Sequence, residues 1–109
     1  MSAMTTVPVT IRPEAEDLIA RLGAQVPFAR MLDHTLQAIP QIRRVVVGVN
    51  VDPTGDLPDA VFLETYVARE VIRDPRHKQD WEAWVAANFP QEVYWPFWLD
   101  LLDEAGDAG

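Results

Sequence analysis

A chain of 109 residues, 49% hydrophobic and 24% charged, can fill one core but not two, so a single domain over residues 1–109 is expected. The absence of cysteine excludes a disulfide framework, a thiolate metal site and a cysteine nucleophile together. A net charge of -8, with only nine scattered basic residues, argues against a nucleic-acid partner, because phosphates call for clustered cations.

In chain order, Val7, Val9 and Ile11 alternate with Pro8, Thr10 and Arg12, which suits a short edge strand, since Pro8 cannot donate a ladder hydrogen bond. Pro13 fits the first position of a helix, Glu14, Glu16 and Asp17 complement its N-terminal dipole, and Gly23 sits where a left-handed terminating residue belongs. Ala15, Leu18, Ile19 and Leu22 give that helix one apolar face. A second helix opens at Pro27 and stops before Pro40, with Phe28, Met31, Leu32, Leu36 and Ile39 as its stripe. The short link between the two predicts a helical hairpin lying on one face of a sheet.

The middle of the chain predicts a hairpin. RRVVVGVNV and DAVFLETYVAREVIR flank the turn DPTGDLP, and the odd positions Val45, Val47, Val49, Val51, Val61, Leu63 and Val67 form one apolar face. The even positions, among them Val46, Gly48, Asn50, Phe62, Glu64 and Tyr66, are mixed and predict a partly covered face. The second run, Asp59 to Ile72, is longer than the first, so part of it bulges, pairs with the N-terminal strand or protrudes.

Beyond it, Asp74-Pro75 starts a helix that reaches Asn88 and places Trp81, Trp84 and Val85 on one side, with Phe89-Pro90 ending it. QEVYWPFWLDLL reads as a last helix, kinked or split by Pro96, and residues 103–109 read as a frayed acidic tail. The expected fold is therefore α+β in the order β-α-α-β-β-α-α. It has a three-stranded, mostly antiparallel sheet, the helical hairpin on its apolar face and the Trp-rich C-terminal helices on or beside its mixed face.

Chemistry-bearing patterns are sparse. Serine occurs only as Ser2, so a serine triad is excluded. His34 and His77 stand in polar helical contexts, and DPTGD lacks the bidentate glutamate and alternating oxygens of a calcium loop. No metal and no cofactor is expected. No segment reaches the roughly 18 apolar residues of a membrane span, and MSAMTTVPVT has neither the basic start nor the apolar stretch of a secretory signal, so no membrane contact and a cytoplasmic location are expected.

Aromatic density is the one unusual feature. Trp81, Trp84, Phe89, Tyr94, Trp95, Phe97 and Trp98 fall within eighteen residues, more rings than one helix face can bury, and an outward tryptophan beside acids is the anatomy of an interaction hot spot. The reading is a non-enzymatic, bacterial-type protein-binding module whose contact residues are Glu92, Tyr94, Trp95, Phe97, Trp98 and Asp100. A basic protein, of the toxin or effector kind that an acidic module neutralises, is the expected partner. Open sheet edges predict self-association as well, as a homodimer. The alternative is a small ligand-binding protein or enzyme using Asn50, Glu64 and Tyr66 on the mixed face.

Overall fold

Alternating apolar residues build the centre of the molecule. In the computed structural model, which describes residues 7–103, β1 (Val9–Ile11) and β2 (Ile42–Asn50) are joined by α1 (Pro13–Arg21) and α2 (Gln25–Ala38). β2 and β3 (Ala60–Val67) then form the expected hairpin, antiparallel from Ile42 opposite Val67 to Asn50 opposite Ala60. After β3 the chain runs through α3 (Arg69–Arg73), α4 (Arg76–Asn88) and α5 (Gln91–Tyr94) into β4 (Phe97–Asp103).

The fold is α+β, but among the described residues its sheet has four strands rather than three and is mixed. Its order is β1-β2-β3-β4, with β1 parallel to β2 and β4 parallel to β3. Parallel neighbours need a crossover, and each pair of helices supplies one. Both crossovers lie on the same face, because α2 and α4 pack together there. The strand pairs they join run in opposite directions, so the two crossovers must have opposite hands. One of them departs from the right-handed rule.

The segment 91–102 is the main correction. Pro96 does not kink a helix; α5 stops at Tyr94 and the chain leaves as a strand, in which Phe97 and Leu99 are buried and Trp98 is exposed. Asp103 belongs to β4, opposite Val67, and its carboxylate accepts a 2.7 Å hydrogen bond from Arg69 Nε, so it is no part of a frayed tail. Residues 104–109 lie outside the described residues. The surplus length of the second hairpin run is absorbed by α3, whose Val71 is buried.

The odd-numbered face holds the core. Val45, Val47, Val61 and Leu63 are fully buried beneath Ala15, Leu18, Ile19, Phe28 and Met31. Val51 falls outside β2 and is exposed. Trp81 and Val85 of α4 join this same core, so the tryptophan helices cover the apolar face and not the mixed one. At its centre the Trp81 indole N–H donates to Thr35 Oγ1 (2.8 Å), and Thr35 in turn donates to the Met31 carbonyl (2.7 Å). A buried polar pair is tolerated here because each donor has an acceptor.

Candidate functional site

Pro96 and the alternation of β4 decide which rings face water. Inward, Phe97 stacks on Phe28 with ring centroids 6.1 Å apart. Strand geometry then forces Trp98 outward, where it lies 6.3 Å from Phe62 on the mixed face. Trp95, just before the proline, is also turned out. The two indoles are 40% and 48% exposed, unusual for side chains this large.

They form a ridge between two apolar hollows. On one side, a groove of about 320 Å3 is walled by Trp81, Val85 and Ala86 of α4, by Tyr94, and by Phe97 and Leu99 of β4. On the other, a hollow of about 280 Å3 is lined by Leu57, Pro58, Ala60 and Phe62, with Leu57 68% exposed. Contiguous apolar surface of this kind is where soluble proteins make contacts. The β2–β3 loop that carries Leu57 is held by one side chain. Asp52 accepts hydrogen bonds from the Thr54 hydroxyl and from the backbone N–H groups of Thr54, Leu57 and Asp56, which keep its carboxyl below the ordinary carboxylate range.

The groove also opens on the free edge of the sheet. Among the described residues no strand pairs with the outer side of β4. Val61 N–H donates to the Pro96 carbonyl at 2.7 Å, and this register directs the backbone of Trp98, Asp100 and Leu102 toward β3. The N–H and C=O groups of Phe97, Leu99 and Leu101 therefore point away from the sheet. Farther along β4 the edge is bordered by a second hollow, lined by Asp74, Lys78 and Gln79 together with Glu82, Asp100 and Leu101. The Asp74 carboxyl is held down to about 2 by side-chain and then backbone hydrogen bonds from Arg76, so it is charged throughout the physiological range.

The six contact residues expected from the sequence do not share one surface. Tyr94, Trp95 and Trp98 meet at the groove. Phe97 is 4% exposed and belongs to the core, so it offers the groove little surface for contact. Glu92 is exposed on α5, and Asp100 stands opposite Glu64 on the mixed face. The alternative set is divided too. Asn50 and Glu64 line a polar hollow with Arg12, Glu14 and Asp100, whereas Tyr66 lies outside it, beneath the Arg44 guanidinium at 4.0 Å.

Neither histidine joins that hollow. The His34 ring lies flat on Trp84, with centroids 3.8 Å apart, on the helical layer, and burial pushes its imidazole pKa down against the raising effect of Asp33. His77 stands 3.9 Å from Asp74. Among the described residues no group of three or more His, Asp or Glu side chains is placed to hold a metal ion, and no helix is long and apolar enough to cross a membrane.

What sequence reasoning missed is the edge itself. Phe97, Leu99 and Leu101 alternate as a strand should, but Trp98 and Leu102 between them gave the segment a helical look. No family model, curated protein or solved structure matches the chain.

Proposed function

We propose that this chain is a non-enzymatic protein-binding module, and that Tyr94, Trp95 and Trp98 form the centre of its contact surface. One observation carries the reading: two half-exposed tryptophans stand side by side between two apolar hollows, at the end of an edge strand. Anchoring aromatics in such hollows, ringed by polar groups, give most of the energy at protein interfaces. Glu82, which lines the groove, together with the net charge of -8, favours a cationic partner of the basic toxin or effector kind.

A second copy of the chain is the other reading, favoured by the half-buried Phe62, Tyr66 and Leu102 on the mixed sheet face, which no helix covers among the described residues. Both are tested by affinity capture with the tagged protein at low and high salt, beside Trp98→Ala, with light scattering of the pure protein. The expected result is a stoichiometric basic partner that is released by salt and lost with Trp98→Ala. Capture of the same proteins by the variant would remove Trp98 from the site, and a monomer at every concentration would remove the homodimer.

A further inference from the structure

We infer that the outer edge of β4 binds an extended, cationic segment of a partner protein as an added fifth strand. This inference rests on the reading of the Trp95–Trp98 surface as protein-binding and specifies how that surface engages. Three features converge on one occupant. The backbone groups of Phe97, Leu99 and Leu101 turn outward in a row, a ready template for another strand. Hollows run beside that row between β4 and α4, and residues from both faces of β4 line each of them, Trp98 and Leu99 in one and Asp100 and Leu101 in the other, which only an edge allows. Main-chain pairing at an edge with pockets for alternate side chains is the physics of peptide recognition by strand addition.

The two sides of the added strand would meet different surroundings, which fixes its chemistry. Side chains on the helical side that enter the groove over Trp81, Val85 and Tyr94 are favoured when apolar, and those farther along meet the mixed lining of Asp74, Lys78 and Leu101. Those on the other side lie along the mixed face beside Asp100, which stands opposite Glu64, and there cations are favoured. A second copy pairing through its own β4 is disfavoured, since each copy carries a net charge of -8 and the register that sets Leu99 opposite Leu101 also sets Asp100 against Asp100 of its twin. The occupant is therefore a strand that alternates apolar residues with arginine or lysine.

The probe is a pool of synthetic peptides that alternate arginine or lysine with valine, leucine or phenylalanine. An identical pool N-methylated at alternate amides along one edge, in both phases, and a pool with glutamate in place of the cations serve as controls. Binding is followed by fluorescence anisotropy and by amide exchange in the wild-type protein, so no variant has to fold. The expected result is binding by the cationic pool that weakens with salt, slower exchange at Leu99 and Leu101, and a loss of about tenfold or more in one N-methylated phase, the summed effect of the net hydrogen bonds removed.

No binding by the cationic pool at low salt, equal binding by the glutamate pool, or binding unaffected by either N-methylation phase would overturn strand addition. In each of these cases, a natural partner still lost with Trp98→Ala would leave the protein-binding reading standing, so the two failures are distinguishable.

Discussion

Phe97→Ala destabilises the fold by about 3–5 kcal/mol, whereas the neighbouring Trp98→Ala costs about 1–2 kcal/mol and abolishes partner capture. The contrast follows from strand geometry. Phe97 is 4% exposed and stacks on Phe28, so its removal leaves a cavity between the sheet and α2. Trp98 is 48% exposed and gives up only its contact with Phe62 and its share of the groove wall. Denaturant unfolding of both variants, with capture by each folded protein, checks the pair. Similar destabilisation by both substitutions would contradict the inward and outward alternation of β4.

The second large effect lies at the buried hydrogen bond between α2 and α4. Thr35→Val keeps the shape of the side chain but leaves the Trp81 indole N–H without an acceptor, at a cost of about 1–3 kcal/mol. Trp81→Phe removes that donor, so Thr35→Val becomes cheaper in its presence, and the double variant loses less than the sum of the single losses. Urea denaturation of the four proteins closes the cycle. Additive losses would mean that the 2.8 Å contact carries no stability.

The hairpin, the helical hairpin and the buried face were legible because their signals are local. Val45, Val47, Val61 and Leu63 alternate at the period of a strand, Pro13 and Gly23 punctuate α1, and Phe28 and Met31 recur at helical spacing. Gly23 adopts the left-handed conformation expected of it, at φ 65°. Two kinds of feature were not legible. The parallel placement of β1 and β4 depends on where the crossovers pack, and the helices were free to cover either face as far as the chain order showed. The segment 97–103 carries apolar residues at both strand and helix spacings, so periodicity alone could not decide it.

The candidate site divides along the same line. That some rings would be surplus to the core could be read from their number, and Trp95 and Trp98 are the exposed ones. Which rings they would be depended on β4 being a strand. Thr35 carries no local signal of its role, since its acceptance of the Trp81 N–H rests on a contact across 46 residues.

The free edge of β4 is the feature on which the proposed contact surface and the strand-addition inference both depend, and residue-resolved amide exchange of the pure protein at low concentration tests it most directly. Slow exchange is expected at Trp98, Asp100 and Leu102, whose backbone faces β3, with fast exchange at Leu99 and Leu101, which turn outward. Uniformly slow exchange along 97–102 would mean that the edge is already covered and would contradict the account.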